Sequence, residues 1–232
     1  LGGQAINPLL RQYHPELSSP WMLVLDGREP MLFGSRGRLK WVQALRAALS
    51  MAALSAEQGD EMALLTLLDD GLSRQAAMPA KRVLGSLMTL AAEDSKLPAA
   101  SSENPSIWPL LQQAMRSMAP GSRWLLLSEA RGLYQALELH MPLVQKLANR
   151  FDIRAVELTD PLDEQLPQAG ELNLYSGGGV SRWRSDSSLV RDEFHRRQVQ
   201  ALAAGRASLI SSGIECRTLS GAEQDPTEAL LA

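Results

Sequence analysis

Two carboxylates, Asp26 in LVLDGREP and Glu129 in WLLLSEA, each close an apolar run and stand just ahead of a helical one. Oxygen ligands at the ends of neighbouring strands suit a hard divalent cation. The same placement serves helix capping, where a carboxylate accepts from the free N–H groups of the next helix. The first loop adds a base: Gly27, Arg28, Glu29 and Pro30 follow Asp26 directly, so an acid and a guanidinium sit side by side where a buried strand surfaces.

Other groupings carry less. Gly34-Ser35-Arg36-Gly37-Arg38, with Lys40 beyond it, offers backbone donors and nearby bases to an anion at a helix start. Its spacing departs from the phosphate-loop pattern, because the second glycine comes early and no Lys-Ser/Thr pair follows. Ser176 to Gly179 reads as a hairpin turn. His195, Arg196 and Arg197, with Arg191, Asp192 and Glu193 among them, read as a solvated, salt-bridged helix face. The chain has no Gly-x-Ser-x-Gly elbow, and no nucleophile, base and oxyanion set can be named. Catalytic residues are therefore not assigned. Cys216 falls in a short terminal strand and reads as packing. Trp41, Trp108 and Trp183 read as core, with a partner surface as the alternative use of a tryptophan.

The elements that must position Asp26 and Glu129 follow from hydrophobic patterning. Continuous apolar runs at Trp21–Leu25, Met62–Leu68 and Trp124–Leu127 predict strands covered on both faces. Phe151–Leu158 predicts another, closed by Thr159-Asp160-Pro161. Leu39, Val42, Leu45 and Leu49 repeat at helical spacing until Gly59. Asp69-Asp70-Gly71 predicts a tight turn into a short, weak strand at Gln75–Met78. Helices are expected at 81–92, 107–118 and 189–211, the last stopping near Gly213, with a loop of Ser, Pro and Ala between the first two. Residues 133–149 predict a helix broken in two at Pro142. Leu172–Tyr175 and Val180–Arg184 predict a hairpin, and Glu215–Leu219 a final strand. Alternating apolar strands and helices give an α/β chain: three layers, α/β/α, around a mostly parallel central sheet. Ligands of such sheets bind beyond the carboxyl ends of the strands, where strand order reverses.

Composition agrees with a single packed domain: 232 residues, of which 45% are hydrophobic. Residues 1–20 and 220–232 are expected to be tails around a domain over 21–219. A net charge of -3 makes no case for nucleic acid. One cysteine excludes an internal disulfide and suits a reducing compartment, and His14, His140 and His195 are too scattered for a zinc cluster. No apolar run approaches the ~20 residues that span a bilayer, and no signal-peptide pattern opens the chain. A cytoplasmic location without membrane insertion is expected; the first residue is Leu1, which leaves room for a membrane tether upstream.

The order of these elements, with LVLDGREPMLFG, WLLLSEA and FDIRAVELTDPLDEQLP ahead of a hairpin and a long helix, resembles the bacterial family called domain of unknown function 58. The likeness runs from Arg11 to Leu219. It is most specific at Thr159-Asp160-Pro161-Leu162 continuing to Leu166-Pro167. Arg11-Gln12-Tyr13-His14-Pro15 is similar to the family's upstream Arg-x-Tyr motif, whereas the basic Ile-Asp-Trp segment that normally follows is absent.

The resemblance implies a von Willebrand factor A-like, Rossmann-like topology and a metal-ion-dependent adhesion site. In that fold the first strand ends in Asp-x-Ser-x-Ser, whose oxygens hold a magnesium-type ion. Asp26 matches, while Arg28 and Pro30 stand where the serines belong; Ser106 falls near the threonine of the second loop, and Glu129 at the aspartate after the fourth strand. Proline brings no side-chain oxygen, and a guanidinium donates and never accepts. The site is thus expected to be degenerate, with no metal or cofactor. Arg28 is expected over Asp26 or Glu129 as a built-in counter-ion. Gly27, Arg28, Glu29 and Ser128 are the expected binding surface. The function implied is non-enzymatic protein interaction alongside a MoxR-type AAA+ ATPase in protein-complex maturation. One alternative is a magnesium- or manganese-dependent binding module in which Asp26, Ser106 and Glu129 still hold the ion through water; another is a hydrolase using the acidic pair.

Overall fold

In the computed structural model, residues 20–35, 37–68, 71–92, 106–116, 118–176, 179–221 and 226 are described. Strand β1 (Trp21–Asp26) is WMLVLD, buried at every position. Its alternate residues serve two cores: Met22 and Val24 face one, and Trp21, Leu23 and Leu25 the other. A strand dry on both faces can only be central. A 3-10 turn (Glu29–Leu32) follows, then helix α1 (Lys40–Gln58). Trp41, Ala44, Leu45, Ala48, Met51 and Ala52 line its buried face. Gly59 ends it with φ 75°, a left-handed cap that glycine adopts without strain.

Strand β2 (Glu61–Leu68) pairs parallel with β1, and β3 (Gly71–Pro79) returns antiparallel beside it. Then come α2 (Ala80–Ala92), α3 (Ile107–Met115), β4 (Arg123–Glu129), α4 (Ala130–Tyr134) and α5 (Leu137–Ala148). The chain continues through β5 (Asp152–Thr159), α6 (Pro161–Glu164), the hairpin β6 (Glu171–Ser176) and β7 (Gly179–Arg184), α7 (Ser188–Ser211) and β8 (Glu215–Ser220). The main sheet has the order β3-β2-β1-β4-β5-β8 and is parallel except for β3. Helices α1 and α2 cover one face, and α3, α4, α5 and α7 the other, giving the three layers expected. Strand order reverses between β1 and β4, so the chain's own topology puts Asp26 and Glu129 at the switch point.

Three expectations need correction. β3 is longer than Gln75–Met78, because an edge strand open to solvent on its outer side needs no continuous apolar run. α3 stops at Met115 rather than Met118. The break between α4 and α5 lies at Gln135–Ala136, where Ala136 takes φ 56°, and not at Pro142. Pro142 stays inside α5, and the carbonyl it leaves without a helical partner belongs to the exposed Glu138. The Asp69-Asp70 turn, most of the Ser/Pro/Ala loop, Arg36, the hairpin tip at Gly177-Gly178, the Arg11–Pro15 motif and the Trp183 side chain lie outside the described residues. Trp41 and Trp108 are core residues. Among the described residues no helix is long and apolar enough to cross a membrane.

Candidate functional site

The register across the switch point sets Leu25 beside Leu127, so Asp26 at the tip of β1 lies next to Ser128 at the tip of β4. Beyond Asp26 the Gly27 amide donates to the Leu67 carbonyl at 2.7 Å, tying the loop to β2. Pro30 then opens the 3-10 turn, a position suited to its fixed φ and missing N–H. Between these two anchors Arg28 folds back onto Asp26. Nε donates to Oδ1 at 2.7 Å, Nη2 to Oδ2 at 2.7 Å, and the Arg28 amide to Oδ1 at 3.2 Å. Ser128 Oγ adds a fourth donor, to Oδ2 at 2.5 Å. Both side chains of the pair are only 2% exposed. This is a fork-on-fork contact, the strong form of a carboxylate–guanidinium bond.

Glu129 has a different cation. Its Oε1 is 3.3 Å from Lys40 Nζ, and its Oε2 accepts from the Gly132 amide at 2.6 Å as the cap of α4. Lys40 Nζ also meets Asp163 Oδ2 at 2.7 Å. Asp163 belongs to a capping box at the start of α6: it accepts from the Asp160 amide at 2.8 Å, while Asp160 Oδ1 accepts from the Leu162 amide at 2.9 Å. The Asp160 carboxylate reaches across to the loop before α1, where the Ser35 amide donates to Oδ2 at 2.7 Å and the Ser35 hydroxyl to Oδ1. Within the Gly34–Arg38 loop, Ser35 thus holds a carboxylate of the same protein.

Asp26 and Glu129 each have a cation of their own, and Asp26 is saturated with donors. Of the four positions expected to form a binding surface, Gly27, Arg28 and Ser128 are buried and Glu29 is half-buried. Ser106 is the N-cap residue of α3, makes no side-chain capping bond, and keeps a buried Oγ without a hydrogen-bond partner. A divalent ion requires inward-turned oxygens, and here a buried donor covers the central carboxylate, so the side chains present do not fit one. Among the described residues no group of three or more His, Cys, Asp or Glu is arranged to hold a metal.

Lys40, Asp163, Asp160 and Ser35 were not assigned to the site from sequence. Two signals were available. A lysine at the first position of a helix faces the positive end of the helix dipole and needs acids to offset it. The Asp160-Pro161-Leu162-Asp163 spacing was the other, a capping box written with two aspartates.

A second polar cluster lies under α7. Glu157, fully buried in β5, accepts from Arg206 Nε at 3.0 Å, from Thr218 Oγ1 at 3.3 Å and from the Tyr134 hydroxyl. Burial first, and the Glu157 hydrogen bond and charge second, push the Tyr134 phenol well above its ordinary range. The half-buried Cys216 thiol beside it is pushed up to about 12 by burial and then by Glu157. On the outer side, Arg196 and Arg197 pair with Glu193 as exposed helix-surface ion pairs.

Solved structures share this architecture at low identity. The VWA domain of SpRpn10 aligns with a TM-score of 0.50 at 11% identity, over 91% of this chain and 93% of that one. The conserved hypothetical protein BatB from Bacteroides thetaiotaomicron gives 0.42 at 11%, over 84% and 98%. A von Willebrand factor type A protein from Catenulispora acidiphila gives 0.41 at 12%, over 91% of this chain and 40% of its own. The fold is von Willebrand factor A-like. No curated protein matches the sequence. The family described as protein of unknown function DUF58 matches residues 4–203, and this chain belongs to it.

Proposed function

We propose that the chain is a non-enzymatic protein-interaction domain whose adhesion-type ion site has been replaced by an internal ion pair, and that its partner is a MoxR-type AAA+ ATPase engaged in protein-complex maturation. The observation that carries this is the buried, two-bond contact of Arg28 with Asp26, which supplies at the strand end the positive charge an ion would otherwise bring. The partner class rests on the family resemblance. Neither acid offers an oxygen free of a hydrogen-bond donor or cation for general-base work, which weighs against a hydrolase. The single cysteine suits a reducing compartment, and we place the domain in the cytoplasm.

A second reading, a magnesium- or manganese-dependent binding module, is favoured by one observation, the unpartnered buried Oγ of Ser106. Pull-down with the purified chain separates the two. Capture of a MoxR-type ATPase that is equal in EDTA and in magnesium, and weakened by Arg28→Ser, supports the first. Capture that appears only with added ion supports the second. Capture of no ATPase under either condition removes the proposed partner.

A further inference from the structure

Lys40 opens α1, where a cation is opposed by the helix dipole, and its side chain is only 3% exposed. Both costs have to be offset locally, since an ammonium removed from water without anionic partners is strongly disfavoured. Glu129 and Asp163 do this, from the end of β4 and from α6. Glu129 is also the residue that the family resemblance sets at an ion-ligand position. Sequence comparison points to the two replaced serines in the first loop and says nothing of Lys40, which lies outside that motif.

We propose that Lys40 is a second resident cation of the site: it occupies the charge position at Glu129 as Arg28 does at Asp26, and it opposes ion uptake even where the first loop has its serines restored. The inference rests on the ion-site reading above and adds a residue to it. Restoring both serines returns two oxygens near Asp26 but leaves Glu129 committed to an ammonium, and a divalent ion placed there meets like charge. Loss of ion binding in this chain is therefore a two-step change.

The test is magnesium and manganese titration of the whole chain by calorimetry and thermal shift. Four proteins are compared: wild type, Arg28→Ser/Pro30→Ser, the same pair with Lys40→Met, and the same pair with Lys40→Arg. Saturable binding at least tenfold tighter in the Lys40→Met triple variant than in the double variant is expected, with the Lys40→Arg triple returning to the double's level. If the Lys40→Met triple is unfolded without ion, recovery of its far-ultraviolet circular dichroism on adding ion counts as binding. A double variant that binds as tightly as the triple overturns the inference, as does a triple that neither binds nor recovers. Saturable binding by the wild type would instead overturn the reading on which the inference rests, so the two failures are distinguishable.

Discussion

Arg28 and Asp26 are two residues apart in sequence and joined by two 2.7 Å bonds out of contact with water. Removing one partner of such a buried pair strands the other charge and costs about 3–5 kcal/mol. Arg28→Met should lower unfolding stability in urea by that amount. The double variant Asp26→Leu/Arg28→Met should recover most of it, because an apolar pair of similar bulk carries no desolvation cost. A double variant as unstable as the single would mean that the charges serve stability and not only neutrality.

Asp160 joins the start of α6 to the loop before α1. Asp160→Ala removes a helix cap and the acceptor of both Ser35 bonds, a loss of about 2 kcal/mol or more. Faster hydrogen exchange at the Ser35 and Leu162 amides, with the central strands unchanged, is the expected readout.

Tyr134 lies against the backbone of α7 at Gly205, where a methyl group would enter its ring. Alanine in an open helix gains about 1 kcal/mol over glycine, whereas overpacking costs about 1–3 kcal/mol. Gly205→Ala should therefore destabilise, by about 1 kcal/mol net. In a Tyr134→Ala background the same substitution should turn stabilising, since only the propensity remains. A double-mutant cycle measured by chemical denaturation checks the sign change.

The Tyr134 phenol and the Cys216 thiol are both raised in the folded chain. For a group whose neutral form the fold favours, the folded state binds more protons than the unfolded once pH passes the unfolded value. Its contribution is complete below that pH and lost above it. Stability should thus fall from about pH 9, the ordinary thiol value, as Cys216 begins to differ, and again from about 10 as Tyr134 does. Cys216→Ala should remove the first part of the decline and leave the second. Urea midpoints across that range, with phenolate absorbance for Tyr134, report the two separately.

What was legible in the sequence follows from how local each cause is. β1 and β4 could be read because their residues face two cores and so are apolar without interruption. α1 could be read because its buried face repeats at 3.6 residues and Gly59 closes it. The α4–α5 break could not, since Ala136 is held in a left-handed conformation that its own side chain does not favour and only the surrounding packing imposes. Asp26 and Arg28 could be singled out because they are neighbours. The Lys40, Glu129 and Asp163 trio could not, because its members come from three separate elements and no single motif joins them. For the expected binding surface the motif named the residues, but the burial of Gly27, Arg28 and Ser128 was not legible, because spacing does not encode side-chain direction.

The two resident cations differ in when the chain can satisfy them. Arg28 finds its acid two residues away, so its charge is answered as soon as that loop is made. Lys40 finds Glu129 only 89 positions later, and the Ser35 loop waits 125 positions for Asp160. These are long-range closures, which carry a larger loop-entropy cost than the local contact of Arg28 with Asp26. During synthesis Lys40 therefore stays hydrated until β4 and α6 have emerged. Its burial marks completion of the carboxyl-end rim, while Asp26 and Arg28 can pair at the outset.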